Sequence, residues 1–337
     1  MRRSLVAAAG ILISLVAVWL LSVSVDLGAT AVTLRRANPA VLLPVVGVIA
    51  LQLGLRSVRW STLLPRRDDG RRVRVSAIVP VLLIGYLGNV LLPARLGEGV
   101  RAVLIARRER LDVAEVVGTV VLERIVDTAT LAVVALIAAL TLPTVPRWLV
   151  QTTAVVGIIG FVAVVLVATL RMDVTSWLRT SLPALAGAPP VAALLTVIGR
   201  FGRGMGGRQR LPVICLAAAI STCAWLLDGV TFWLIAMALG INLGYVAALL
   251  VAAVAVLGTA IPSAPGYIGT FEVAATTTAA AIGVARSTAL ALAVMAHAVT
   301  VLPLAVGGAI AVAVLGVRFG GVVAAARTAS PARPAAR

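Results

Sequence analysis

The chain has 337 residues, 61 % hydrophobic and 12 % charged, with a mean hydropathy of +1.10. Several apolar runs reach the roughly 20 residues that cross a bilayer, which excludes a soluble globular protein. The net charge is +17 and all 29 basic residues are arginine. Their clustering in loops reads as membrane topology and argues against a nucleic-acid partner.

Met-Arg-Arg precedes an apolar run over 4–25. That run is longer than a signal core of roughly 7–15 residues and lacks a small-x-small cleavage site, so it predicts an uncleaved first spanning helix starting in the cytoplasm. The loop 26–38 is expected outside, and a second helix spans 39–58. The loop 56–74 carries seven arginines, Arg56 and Arg59 among them, and is expected in the cytoplasm, with Trp60 as an interfacial anchor.

The stretch 75–110 is unusual. Apolar segments enter and leave Asn89-Val-Leu-Leu-Pro-Ala-Arg-Leu-Gly-Glu-Gly-Val-Arg101. Pro93, Gly97 and Gly99 break helices, and Arg95, Glu98 and Arg101 are excluded by acyl chains. Arginines flank both outer ends, which predicts a re-entrant hairpin entering from the cytoplasm. Broken backbone is tolerated at depth only inside protein or beside a wet cavity. Helices follow over 113–141 and 149–170, with Trp148 at the outer interface. The loop 171–210 has six arginines and a segment, 189–198, expected on the membrane surface. Gly202-Arg-Gly-Met-Gly-Gly207 matches G-x-G-x-x-G in form but follows no strand, so it reads as a basic linker.

A helix over 211–239 leads to an uncharged external turn, 240–244. A second hairpin, 245–284, is broken at Ile261-Pro-Ser-Ala-Pro-Gly-Tyr-Ile-Gly-Thr-Phe-Glu272 and enters from outside. The last helix covers 286–316, and 321–337 reads as a disordered basic cytoplasmic tail. The expected fold is thus an all-α polytopic membrane protein, one transmembrane domain over 1–320, with six spanning helices and two opposed re-entrant hairpins. This topology puts 24 arginines inside and four outside (Arg35, Arg36, Arg147 and Arg286).

"Helix, hairpin, helix" occurs at about 39–141 and again at about 211–316, with opposite sense, an inverted repeat as in many secondary transporters. Glu98 precedes Glu123 by 25 residues, and Glu272 precedes His297 by the same interval. Glu123 and His297 lie roughly 15 and 16 Å into their helices, near the midplane.

Glu123 and Asp127 share a helix face. With Arg124 they read either as an ion-pair network with Arg95 or Arg101 or as a cavity wall. Glu98 and Glu272 either cap the returning half-helices or carry protons. Arg95 and Arg101 either snorkel or hold phosphate in bidentate fashion. Asp228 pairs an arginine or faces the cavity. His297 is a satisfied buried histidine or a proton relay. Pro93, Gly97, Pro262, Pro265, Gly266 and Gly269 permit the turns. Cys215 and Cys223, about 12 Å apart on one helix, are too far apart for a disulfide and read as buried apolar residues. With one histidine, no metal-ligand spacing exists, and neither a metal nor another cofactor is expected.

Leu-Pro-Ala-Arg-Leu-Gly-Glu-Gly-Val-Arg101, Glu123-Arg-x-x-Asp127 and Pro262-x-x-Pro-Gly-x-x-Gly-x-x-Glu272 together resemble the lysylphosphatidylglycerol synthase transmembrane-region family, also called flippase-like. The resemblance covers about 5–316. It implies a multi-pass protein of the bacterial or archaeal inner membrane that moves a lipid, often an anionic or modified phospholipid, between leaflets; the arginine distribution puts both termini in the cytoplasm. The resemblance implies Arg95, Glu98, Arg101, Glu123, Arg124, Asp127 and Glu272 as substrate-binding candidates; position alone adds His297. Tyr267 stands where that family often has glycine, which narrows the cavity. A short basic tail replaces the aminoacyl-transferase domain of bifunctional members, so enzymatic activity is not expected. The alternatives are a membrane-embedded enzyme acting on a lipid-linked sugar or phosphate, and a non-transporting scaffold.

Overall fold

The computed structural model describes residues 2–92, 95–169, 180, 189–205, 210–261 and 263–317. The elements among them are all helical. In chain order they are α1 (Arg2–Ser24), α2 (Leu27–Arg35), α3 (Pro39–Leu63), α4 (Val75–Leu91), α5 (Leu96–Glu109), α6 (Val113–Thr141) and α7 (Arg147–Thr169). Then come α8 (Pro189–Gly204), α9 (Arg210–Ala238), α10 (Tyr245–Gly258), a 3₁₀ turn (Pro265–Tyr267), α11 (Thr270–Ala281) and α12 (Arg286–Val314). Side chains set several starts. Asp26 accepts from Ala29 N, Asn38 from Ala40 N with Pro39 behind it, and Asp112 from Glu115 N.

Among the described residues, α3, α7, α9 and α12 are long and apolar enough to cross a bilayer, or five such spans exist if α1 and α2 count as one. The chain is therefore a multi-pass membrane protein. At 29 residues α6 is as long as α12, but its acidic and basic residues set it apart. Two short helix pairs, α4/α5 and α10/α11, are each interrupted at the expected breaks. Small residues let each pair close. A Cβ on Gly88 would lie 2.7 Å from Gly97 Cα, and one on Gly258 2.6 Å from the Ala274 Cβ. Around them α3 packs on α9, α4 on α12 and α6 on α10.

Several expectations need correction. The loop 26–38 contains α2, bent 89° from α1 and fastened to α12 where Thr30 donates to the Ser287 carbonyl at 3.2 Å. The second helix runs to Leu63 rather than 58, so Arg56 and Arg59 are helical and do not belong to the cytoplasmic loop. A count of positive charge cannot tell a loop arginine from one neutralised inside the protein. Trp60 is no interfacial anchor. It is fully buried, and its Nε1 donates to Thr119 Oγ1 at 3.2 Å. Cys215 and Cys223 are exposed on α9, not buried. A thiol is apolar enough for a helix face turned to lipid. For the segment 189–198 only the bounds change: it is part of the longer α8, which packs on α6 so closely that a Cβ on Gly204 would sit 1.8 Å from the Glu115 carbonyl. Gly202 and Gly204 of the glycine motif are in that helix. Pro93, Pro262 and the tail from 318 on lie outside the described residues.

The first helix also packs on the second break. Ser14 Oγ donates to the Ile268 carbonyl and accepts from Ala264 N, both at 2.7 Å. Gly10 and Ala17, on the same face, approach Ser263 and Gly269. Helix α1 thereby holds the loop that joins α10 to α11.

Candidate functional site

The charges of α6 organise the centre. Glu123, 3 % exposed, accepts from three guanidinium groups: Arg59 Nη2 at 2.8 Å, Arg101 through Nη1 and Nη2 at 3.1 Å each, and Arg124 Nη2 at 3.0 Å. Asp127, one turn on, accepts from Arg59 Nη1 and, at 3.1 Å, from Arg59 Nη2. Ser221 Oγ of α9 donates to the same carboxylate at 3.0 Å. The Arg101 guanidinium also lies over the Trp60 ring, 4.5 Å from its centroid. Arg59, Arg101, Glu123 and Asp127 are all buried. Buried charges of this kind persist only when paired and hydrogen-bonded.

The network backs onto a cavity of about 190 Å³ whose walls come from both broken helix pairs and from α3, α6, α9 and α12. Arg95 precedes α5 in the left-handed conformation (φ 55°). Its Nη2 crosses to the other pair and donates to the Thr259 carbonyl at 2.7 Å and to Thr259 Oγ1 at 3.0 Å. The same guanidinium stacks over Tyr267, 5.3 Å from the ring centroid, and Tyr267 is itself left-handed (φ 63°). Glu98 lies 3.4 Å from Arg124 Nε and 3.9 Å from Arg95 Nη1. On the far wall Arg56 pairs with Asp228 at 3.1 Å and lies over Trp225. His297 Nδ1 bonds Glu272 Oε1, while Glu272 Oε2 accepts from Gly269 N at 2.7 Å. Asn89 Oδ1 is buried near the cavity with no hydrogen-bond partner among the described residues.

The sequence-derived candidates therefore converge. Arg95, Glu98, Arg101, Arg124, Asp127, Gly266 and His297 line the cavity. Glu123 stands behind it, and Glu272 holds His297. Asp228 takes both of its alternatives, arginine partner and cavity wall. Arg101 does not snorkel; it is 4 % exposed and bound to Glu123. Gly97 and Gly269 serve packing, the first against Gly85 and Asn89, the second against α1. Pro265 starts the 3₁₀ turn.

Sequence reasoning missed Arg56, Arg59, Tyr86, Asn89 and Trp225. A signal for the two arginines existed. Five carboxylates at depth faced only Arg95, Arg101, Arg124 and one histidine, and that shortfall required further buried cations. Among the described residues no three of His, Cys, Asp and Glu are grouped to hold a metal ion.

The family model for the lysylphosphatidylglycerol synthase TM region matches residues 7–308. The chain belongs to that family. Within reach of this lysylphosphatidylglycerol synthase TM-region chain are two curated relatives. Glycosyltransferase AglD of Haloferax volcanii is 26 % identical over 343 residues, covering 91 % of this chain and 54 % of AglD. A UPF0104 membrane protein of Methanothermobacter thermautotrophicus is 27 % identical over 269 residues, covering 71 % of this chain and 75 % of the relative. The chain thus spans about half the length of AglD. No solved structure matches it.

Proposed function

We propose that this protein moves a phosphate-bearing lipid headgroup between leaflets through the charged cavity, the acyl tails staying in lipid. The observation that carries this reading is Arg95. It projects from one helix break to the other, and its hydrogen-bond partners are the neutral oxygens of Thr259 rather than a carboxylate. A phosphate can replace them with charge-assisted, bidentate bonds. Arg124, 37 % exposed in its side chain, offers a second cation on the facing wall. The unpaired Asn89 Oδ1 offers an acceptor for a headgroup hydroxyl or ammonium.

In this reading α1, α3, α6, α7, α9 and α12 cross the membrane of a bacterial cell, both termini inside. The α4/α5 pair dips from the arginine-rich inner side and α10/α11 from the outer. The packing supports an inverted repeat. Exchange α3 with α9, α4 with α10, α5 with α11 and α6 with α12, and the contacts map onto themselves: α4 on α12 becomes α10 on α6. The matched 25-residue spacings behave alike too. Glu272 bonds His297 directly, and Glu98 is joined to Glu123 through Arg124.

The name of AglD favours a second reading, an enzyme acting on a lipid-linked sugar, for which Tyr86, Trp225 and Tyr267 supply ring faces at the cavity. Reconstitution into vesicles with labelled phosphatidylglycerol separates the two. Translocation requires accelerated leaflet exchange of a chemically unchanged lipid, lost in Arg95→Ala and Glu272→Gln while both variants remain folded. Unchanged exchange in both variants rejects the assignment, and an altered lipid mass with AglD-type sugar donors present favours the enzyme.

A further inference from the structure

The ionic inventory of the cavity points beyond translocation to what drives it. Around the site, among the described residues, stand five arginines (56, 59, 95, 101 and 124) and five carboxylates (Glu98, Glu123, Asp127, Asp228 and Glu272). Four of those carboxylates lie within 4 Å of an arginine: Glu98 of Arg95 and Arg124, Glu123 of Arg59, Arg101 and Arg124, Asp127 of Arg59 and Arg124, and Asp228 of Arg56. Glu272 differs. Its basic partner is His297, the one histidine of the chain.

Arginine stays charged at any physiological pH, whereas histidine gains and loses its charge near neutrality. With neutral His297 the inventory sums to zero; with the imidazolium it is one positive charge. An anionic headgroup entering the neutral site would leave an uncompensated negative charge at membrane depth, which is costly. The same headgroup entering with one proton on His297 leaves the site balanced.

We propose that His297, held by Glu272, is the proton-loading group, so that an anionic headgroup crosses together with one proton. This rests on the translocase reading and adds its driving force. His297 is placed for the task. It lines the cavity, its side chain is 12 % exposed, and Phe271 stacks 4.6 Å from its ring. The groups facing it from each packed element are Glu272 of α11, Tyr86 of α4, Asp228 of α9 and Arg56 of α3. Helix α2 packs on α12 too, Thr30 donating to the Ser287 carbonyl, and its one charged side chain, Arg35, does not line the cavity. Across the cavity stand Arg95, Glu98, Arg124 and Tyr267. Of the side-chain types gathered there, imidazole is the one that ordinarily changes charge near neutrality.

Coupling of one proton to one negative charge is electroneutral and reciprocal: each ligand strengthens the other. A gradient of about one pH unit should then enrich the anion about tenfold in the leaflet on the alkaline side. The test uses vesicles holding the full chain, labelled phosphatidylglycerol and an internal pH dye, with labelled phosphatidylcholine as the zwitterionic control. The expected result is pH-driven enrichment of phosphatidylglycerol with proton entry in step, and no such enrichment of phosphatidylcholine. His297→Gln keeps an amide N–H for Glu272 and cannot titrate, so it should fold and lose the response to the gradient. Exchange of phosphatidylglycerol that ignores the gradient and moves no protons overturns the coupling while leaving translocation intact. An unaltered gradient response in His297→Gln overturns the role of that residue. Absence of any exchange overturns both readings together.

Discussion

Replacing Arg59 by alanine should cost about 3–5 kcal/mol and leave little folded protein, the largest stability loss of any single change near the site. The side chain lies 3 % exposed between two carboxylates, reaching Glu123 with Nη2 and Asp127 with both terminal nitrogens. Removing it leaves Asp127 with only the longer Arg124 contact at 3.7 Å and the Ser221 hydroxyl, and Glu123 with Arg101 and Arg124. The residual charge is buried and no longer balanced by a direct bidentate partner. Lysine would restore a charge without the planar fork that spans both acids, so Arg59→Lys should recover only part of the loss. Paired removal, Arg59→Met with Asp127→Leu, should cost less than Arg59→Met alone, because it deletes the stranded acid as well. Thermal unfolding of the purified protein in detergent, followed by tryptophan fluorescence, measures all three. Trp60 over Arg101 and Trp225 under Arg56 place natural reporters beside the network.

Gly97→Ala should be nearly as damaging for a different reason. A Cβ there would lie 2.0 Å from the Gly85 carbonyl and 2.5 Å from Asn89 N and Oδ1. The obstacles are mostly backbone, so no rotamer change relieves them. Overpacking of this sort costs about 1–3 kcal/mol or more. It would also wedge α5 away from α4 and shift Glu98 out of the cavity. Gly47→Ala is the matched control. Nothing lies within 4 Å of its added Cβ, and alanine favours helix over glycine by about 1 kcal/mol. The same melting assay should show a lower midpoint for Gly97→Ala and an equal or higher one for Gly47→Ala. Equal midpoints for both would show that the α4/α5 contact is looser than described.

The helices were legible because apolar run length and helix breakers are local properties. Helix α6, 113–141, and the breaks near Arg95 and Gly266 fall where composition put them. The candidate acids were legible because a carboxylate at depth is costly and so stands out. Its partners were not, since pairing is a tertiary fact. Arg59 sits four residues before the end of α3, where sequence cannot distinguish an interfacial arginine from one reaching 64 residues onward to Glu123. Trp60 was misplaced by the same ambiguity: an indole beside arginines marks an interface or a stacked, buried pair. The clamp of Ser14 on the 263–269 loop was invisible because a serine in an apolar helix usually bonds its own preceding turn. Here it bonds chain 250 and 254 residues away.

Everything functional in this account depends on two broken helix pairs entering from opposite faces of the membrane, so that their charges meet partway across. Single cysteines placed on a Cys215→Ser, Cys223→Ser background, at Asp68 and Arg107 beside the first pair and at Asn242 and Ala285 beside the second, test this directly. All four positions are exposed, and both native thiols must go because they are exposed too. In oriented vesicles a membrane-impermeant maleimide should label positions 68 and 107 from the cytoplasmic side only, and 242 and 285 from the opposite side only. Labelling of 68 and 107 from different sides would make α4/α5 a crossing segment and contradict the account.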